Sequence, residues 1–313
     1  MPYNQPVSND ADDSVNASTR YCAVLGHPIR HSASPAMQNA GLRALGLNWR
    51  YLAFDVHPDH LRAAIEGARR MGFIGLNLTV PHKLPALEMV DVLDEQARTL
   101  GAVNTIVFET RDPSGAWAPV GGLDSPPDRE VRSRGLNTDA DAIVQALKEE
   151  FAWESLRGTT VLLLGAGGAA RAAALRLGRE GLAALYLVNR TQGRAAELAA
   201  ELAQSCPDTR TILGYPSQSV DLVINATSLG LQAEDPLPID PQWLQTRRPR
   251  FVYDMIYRPM ETGLLRAARS AGGRAANGAG MLLHQGARAL ELWTGRPAPV
   301  KVMRAALAKN LYG

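Results

Sequence analysis

Residues 159–194 read TTVLLLGAGGAARAAALRLGREGLAALYLVNRTQGR and constrain the fold more than any other stretch of the chain. Residues 160–164 are an apolar run of the kind that lies buried on both faces of a parallel sheet. Gly165-Ala166-Gly167-Gly168-Ala169 follows, then a helix pattern rich in Ala and Leu, then a second apolar run at 185–188. Strand, glycine turn, helix, strand is the order of a βαβ dinucleotide-binding unit. Gly165 permits the tight turn, Gly167 lets the backbone approach a pyrophosphate, and the small Ala170 lets the helix pack close to the strand. The helix N-terminus offers free N–H groups and a positive dipole end to phosphates. An acid at the end of the second run would hold a ribose 2′-hydroxyl. The run ends instead in Asn189-Arg190-Thr191, with Arg194 one helical turn on. Two arginines suit a 2′-phosphate, so the expected cofactor is NADP rather than NAD. A purely structural glycine turn is the plainer alternative, and the surrounding strands, helix and arginines count against it.

The rest of the chain must then supply a substrate site, and its 313 residues are enough for two domains with separate cores. The net charge is +2 and no basic run exceeds two residues, which argues against nucleic acid or an anionic membrane as partner. No apolar run approaches a membrane span, and no signal-like stretch opens the sequence. Two cysteines, Cys22 and Cys206, stand far apart without metal spacing, which fits a reducing cytoplasm. His27, His31 and His82 lack a third ligand at metal spacing, so no metal is expected. Residues 1–20 are polar and aperiodic and read as a disordered tail.

Strand patterns at 21–25, 49–56, 74–80 and 103–108 alternate with helix patterns at 34–45, 60–71, 83–90 and 94–100. Residues 110–134 break the rhythm with Pro and Gly; they read as a surface loop or hairpin insertion, disordered or acting as a lid. A helix runs from Asn137-Thr138-Asp139 to Phe151, with Thr138 or Asp139 available as cap. After the dinucleotide unit come strands near 221–226 and 250–256 and helices near 261–271, 281–292 and 300–311. The fold class is α/β, in two domains with a cleft between them. Residues 21–137 plus 278–313 form an α/β substrate domain; residues 138–277 form a Rossmann NADP-binding domain.

Seven further segments carry a resemblance. They are Gly26-His27-Pro28-Ile29-Arg30-His31-Ser32-Ala33-Ser34-Pro35, Gly75-Leu76-Asn77-Leu78-Thr79-Val80-Pro81-His82-Lys83, Gly101-Ala102-Val103-Asn104-Thr105, Asn137-Thr138-Asp139, Asn225-Ala226-Thr227-Ser228, Asp254-Met255-Ile256-Tyr257-Arg258-Pro259, and the run from Gly278 to Ala287. In this order the chain resembles the shikimate dehydrogenases of the shikimate/quinate dehydrogenase family. The resemblance implies NADPH-dependent, reversible reduction of 3-dehydroshikimate to shikimate, an oxidoreductase step toward chorismate and the aromatic amino acids. It implies a small-molecule partner, a cytoplasmic setting, and a monomer or homodimer.

The resemblance also assigns roles. Lys83 and Asp139 are the catalytic pair. A hydroxyl that gains or loses hydride needs an acid or base beside it. Burial near the cofactor and the charge of Asp139 act on Lys83 in opposite senses. Whether Lys83 carries the proton or only stabilises the alkoxide therefore stays open. Ser32, Ser34, Thr79 and Tyr257 match carboxylate-binding positions; Asn104, Gln285 and Asp139 match hydroxyl-binding ones. Thr227, Ser228, Met255 and Gly278 match the nicotinamide end, and Glu95 a position near the cofactor. The bland readings are a solvated Lys83, and Ser34 and Asp139 as plain helix caps.

The chain departs from the family pattern at Gln38 (usually His), Ala142 (usually Gly) and Leu231 (usually Met). Two rivals remain: an NAD-dependent quinate/shikimate dehydrogenase, against which Arg190 and Arg194 speak, and a non-catalytic regulator of the same fold, against which the retained Lys83 and Asp139 speak.

Overall fold

A computed structural model describes residues 15–125 and 127–313. The first half builds a mixed sheet. Its strands are β1 (Arg20–Gly26), β2 (Trp49–Asp55), β3 (Gly75–Leu78), β4 (Val92–Leu93), β5 (Thr105–Arg111), β6 (Trp117–Pro119) and β7 (Val131–Leu136). The order is β2-β1-β3-β5-β7-β4, with β6 paired to β5. The three strands β2, β1 and β3 run parallel, and β5 lies antiparallel to both β3 and β7. Helices α1 (Ser34–Ala44), α2 (Leu61–Arg70) and α3 (Glu95–Leu100) connect the strands.

The second half begins with α4 (Asp139–Phe151) and continues β8 (Thr160–Leu164), α5 (Gly168–Gly178), β9 (Ala184–Val188), α6 (Gln192–Ser205), β10 (Arg210–Leu213) and β11 (Leu222–Asn225). Then come α7 (Pro241–Arg247), β12 (Phe251–Asp254), α8 (Gly263–Ser270) and β13 (Arg274–Asn277). All pairs are parallel, in the order β10-β9-β8-β11-β12-β13. Counted from β8 this is the doubly wound order 3-2-1-4-5-6, whose direction reverses between β8 and β11. The apolar run of β8 is explained by its two covered faces: Val161 and Leu163 enter one core, Leu162 and Leu164 the other.

Two helices close the chain, α9 (Ala279–Thr294) and α10 (Val300–Tyr312), and both return to the first sheet. Trp293 of α9 is fully buried there, and its Nε1 donates to the Ile106 carbonyl at 3.0 Å. Gly75 and Gly121 make room for it: a Cβ on Gly75 would lie 2.1 Å from Trp293 Nε1, and one on Gly121 1.9 Å from the Trp293 carbonyl oxygen.

Several sequence expectations need correction. Most of the expected tail falls outside the described residues, but its last part is ordered. Thr19 and Arg20 are buried, Thr19 Oγ1 donates to Asn48 Oδ1 at 3.0 Å, and Arg20 begins β1. The helix expected at 83–90 is only a 3-10 turn at Pro85–Glu88. Pro85 donates no N–H for an α-helical bond, and only a single 3-10 turn forms, although Leu84 itself keeps helical dihedrals. Residues 110–134 take the hairpin form of the expectation, with β6 and β7 extending β5. The cap of α4 is neither Thr138 nor Asp139: Asn137 Oδ1 accepts from the backbone N–H of Asp139 at 3.1 Å and of Ala140 at 3.2 Å. The short strands β4, β10 and β13 and helix α7 have no counterpart among the sequence expectations. Among the described residues no helix is long and apolar enough to cross a membrane, and no group of three His, Cys, Asp or Glu could hold a metal ion.

Candidate active site

The approach to Lys83 is held by backbone. Thr79 N–H donates to the Leu25 carbonyl, His82 N–H to the Thr79 carbonyl, and Val103 N–H to the Lys83 carbonyl, at 2.8–3.0 Å. Gly26 lets Thr79 come in: a Cβ there would lie 2.5 Å from Thr79 Cγ2. His82 points inward and its Nε2 is 2.9 Å from the Val56 carbonyl oxygen. Burial pushes its ring below the usual histidine range. His82 is thus turned into the core while its neighbour Lys83 stays partly exposed. Its Nζ donates to Asp139 Oδ2 at 2.7 Å, with side-chain exposures of 33% and 15%. Asp139 is the first residue of α4, where the helix dipole favours a carboxylate. Because Asn137 does the capping, the Asp139 carboxylate is left to the lysine. A lysine and a carboxylate this close can move a proton to or from a hydroxyl placed between them, or hold the oxygen's charge.

Asn104 is 2% exposed. Its Oδ1 accepts from Thr138 N–H at 2.7 Å and from Thr105 Oγ1 at 3.1 Å, and its Nδ2 donates to Thr138 Oγ1 at 3.0 Å. The backbone donor fixes which end of the amide is oxygen, so one N–H of Asn104 remains for a ligand. Behind it stands Asn77, donating to the Asn104 carbonyl at 3.2 Å and Thr105 Oγ1 at 3.0 Å, and accepting from the Tyr51 hydroxyl at 2.8 Å. Burial pushes the Tyr51 phenol far up, and Ser34 lies within hydrogen-bond reach of it. Sequence reasoning passed over Asn77 and Tyr51. The signal was there in Asn77, an amide inside an otherwise apolar strand.

The other candidates are placed as follows. Ser34 is buried in the first turn of α1, and its N–H lies 3.4 Å from Ser32 Oγ. Tyr257 is half-buried just past β12; burial raises its phenol, while Arg258 and Lys83 draw it down, so it lies near the lysine. Gln285 on α9 folds back on its own helix, Nε2 donating to the Leu282 carbonyl at 2.9 Å. Glu95 is exposed at the start of α3, which Arg171 of α5 ties to the second half through the carbonyls of Leu100 and Thr99. Of the departures from the family pattern, Gln38 is buried and donates to the Gly286 carbonyl at 2.9 Å, Ala142 is buried in α4, and Leu231 is half exposed.

The glycine turn fits a dinucleotide. Gly165 has φ +111°, and a Cβ on it would lie 3.0 Å from the Ala226 carbonyl oxygen. Around Gly167 and Gly168 an added Cβ would meet nothing within 4 Å, so the N-terminus of α5 opens on free space at the strand-order reversal. Ala166 is partly buried, Ala169 exposed, and Ala170 buried against the sheet. Asn189 Nδ2 donates to the Thr191 carbonyl at 2.8 Å and shapes the turn after β9. Arg190, Thr191 and Arg194 are exposed, and neither arginine forms an ion pair among the described residues. They are free to meet an anion. Across the sheet, Thr227 and Ser228 follow β11 and Met255 follows β12. Gly278 is packed so tightly that a Cβ would lie 2.1 Å from the Met255 carbonyl oxygen.

Three family models match separate parts of the chain. Residues 24–106 match the shikimate dehydrogenase substrate binding domain, residues 146–233 the shikimate / quinate 5-dehydrogenase domain, and residues 278–308 the shikimate 5′-dehydrogenase C-terminal domain. The chain belongs to the shikimate dehydrogenase family. A relative named shikimate dehydrogenase (NADP(+)) from Methanopyrus kandleri is 39% identical over 305 residues, covering 95% of this chain and 98% of the relative. A crystal structure of a shikimate dehydrogenase in complex with NADP+ superposes with a TM-score of 0.82 at 33% identity, covering 96% of this chain and 98% of that one. A family member from Thermus thermophilus, in complex with NADP(H) and shikimate, gives a TM-score of 0.76 at 34% identity over 93% of this chain and all 100% of that one.

Proposed function

We propose that this chain is an NADP-dependent shikimate dehydrogenase, catalysing the reversible reduction of 3-dehydroshikimate to shikimate. The observation that carries the reading is the 2.7 Å contact between Lys83 Nζ and Asp139 Oδ2, at the junction of the two sheets. Residues 21–137 with 278–313 are read as the substrate domain and 138–277 as the NADP-binding domain. The Asn137–Asp139 crossing thus brings one catalytic residue from each.

NADPH, when bound, supplies the hydride. The chain's residues do the rest. Ser32, Ser34, Thr79 and Tyr257 hold the substrate carboxylate. Asn104 donates its one free N–H to a ring hydroxyl oxygen, and Gln285 turns from its helix to meet another hydroxyl. Lys83 and Asp139 flank the reacting oxygen, Lys83 supplying a proton or positive charge as the carbonyl becomes a hydroxyl. Gly165 to Ala169 seat the pyrophosphate; Asn189, Arg190, Thr191 and Arg194 seat the 2′-phosphate. Thr227, Ser228, Met255 and Gly278 line the nicotinamide, with Glu95 at the margin of the cofactor site. Both cysteines are free and buried, which supports a cytoplasmic setting. The deciding assay is NADPH oxidation with 3-dehydroshikimate, beside NADP+ and NAD+ reduction with shikimate and quinate. Shikimate with NADP+ should give the highest kcat/KM; equal or better turnover with NAD+ or quinate would overturn the reading.

A further inference from the structure

Two neighbouring loops follow β11, at the strand-order reversal, and β12 beside it, and a single side chain ties them together. Asp254 is 0% exposed and has no ion-pair partner among the described residues. Its Oδ1 accepts from Asn225 Nδ2 at 2.9 Å and from Ile256 N–H at 3.1 Å; its Oδ2 accepts from Thr262 Oγ1 at 2.7 Å. Each donor belongs to a segment with a further task. Asn225 Oδ1 accepts from Thr227 N–H at 3.0 Å and Thr227 Oγ1 at 2.7 Å, and Thr227 Oγ1 accepts from Leu229 N–H at 3.1 Å. Ile256 lies between Met255 and Tyr257, and its carbonyl accepts from Gly278 N–H at 3.1 Å. Thr262 caps α8, accepting from Leu265 N–H at 3.3 Å. Burial pushes the Asp254 carboxyl above its usual range.

A buried acid with no cation beside it carries a desolvation cost, and a wholly apolar set in place of the acid and its donors would stabilise the fold as well or better. What the acid does and an apolar residue cannot is fix both loops in one relative orientation through three directional bonds.

We propose that Asp254, acting through Asn225 and Thr262, is the positioning residue for the nicotinamide end of the dinucleotide. The proposal rests on the NADP reading above. It divides the cofactor site in two: the phosphate end is set by the glycine turn and the arginines, and the nicotinamide end by the Asp254 network.

The test follows that division. Thr262→Val, Thr262→Ser and Asp254→Asn are compared with wild type in calorimetric binding of NADP+ and of adenosine 2′,5′-bisphosphate, which lacks the nicotinamide, and in turnover of shikimate. Thr262→Val and Asp254→Asn should weaken NADP+ or slow turnover by about tenfold, the scale of one buried hydrogen bond. The bisphosphate should bind within about twofold of wild type, and Thr262→Ser should restore wild-type behaviour. The proposal is overturned if Thr262→Val leaves NADP+ affinity and turnover unchanged, if both nucleotides weaken by the same factor, or if Ser rescues no better than Val. Should Asp254→Asn not fold, the Thr262 pair decides alone. If wild type binds neither nucleotide, the NADP reading itself falls, and that result is distinct from the others.

Discussion

At the scale of single residues, the proposed chemistry rests on a few side chains. Lys83 is held on both sides by backbone bonds and meets Asp139 directly. Replacing Lys83 with Ala should lower kcat by about 10²–10⁴-fold, the range for one acid–base group, with the NADP+ dissociation constant near wild type. Steady-state kinetics and direct binding check the two halves of that statement, and turnover within a few-fold of wild type would remove Lys83 from its role. Arg190 and Arg194 have no ion-pair partner among the described residues. The Arg190→Ala, Arg194→Ala double variant should raise KM for NADP+ about 10–100-fold, as the loss of charge-assisted bonds implies, with KM for NAD+ little changed. Equal effects on both cofactors would show that the arginines do not read the 2′-phosphate. His82 carries a pH signature. Burial lowers its folded-state value, so the unfolded chain takes up a proton near pH 6.5 that the folded chain refuses. Stability should therefore fall as pH drops through about 6.5. Urea unfolding at acid and neutral pH should show a shallower loss for His82→Gln; an unchanged acid limb would contradict this.

Among the secondary-structure elements, the glycine turn is the most exacting. Gly165 combines φ +111° with a neighbouring carbonyl at 3.0 Å from any added Cβ. Gly165→Ala should cost about 1–3 kcal/mol in backbone strain, seen as a lower Tm, and should weaken NADP(H) binding as the turn shifts. A Tm and affinity matching wild type would mean that the turn relaxes freely. This element was legible because its signals are local: an apolar strand, required glycines, a small-residue helix. Strand β7 was not, because its Arg132 and Arg134 read as loop. They are strand residues through pairing with the buried Glu109 of β5, at 2.8 Å each, a partner more than twenty positions away in sequence. The capping of α4 was misread for a related reason. Asn137, Thr138 and Asp139 all suit a cap, and only the fold shows that Asn137 takes it.

For the whole molecule, the motif order showed an α/β chain with a mid-chain dinucleotide unit, since each motif carries its own local geometry. The 2.7 Å meeting of Lys83 with Asp139 and the pairing of the Tyr51 hydroxyl with Asn77 were not legible, because each arises where distant segments converge. Ligand should stabilise the assembled fold. NADP+ at a hundred times its dissociation constant should add about 2.7 kcal/mol, measured as a rise in Tm. NAD+ at the same concentration should raise it less, and an equal rise would count against the cofactor preference.

Among the described residues the chain passes from the first sheet to the second at 137–139 and back at 277–279, and an asparagine marks each crossing. Asn137 caps α4 at the first, and at the second Asn277 Oδ1 accepts from Ala279 N–H at 3.1 Å to start α9. The two helices pack against each other so closely that a Cβ on Gly280 would lie 3.3 Å from Ala146 Cβ. Two joints side by side leave a swing about the line through both as the easiest relative motion. Asp139 stands beside one joint and Gly278 beside the other. Any swing about that line must also break the bonds that Arg171, three residues beyond Gly168, makes to the carbonyls of Leu100 and Thr99, so the glycine turn is tied to the opposite half as well as to its own.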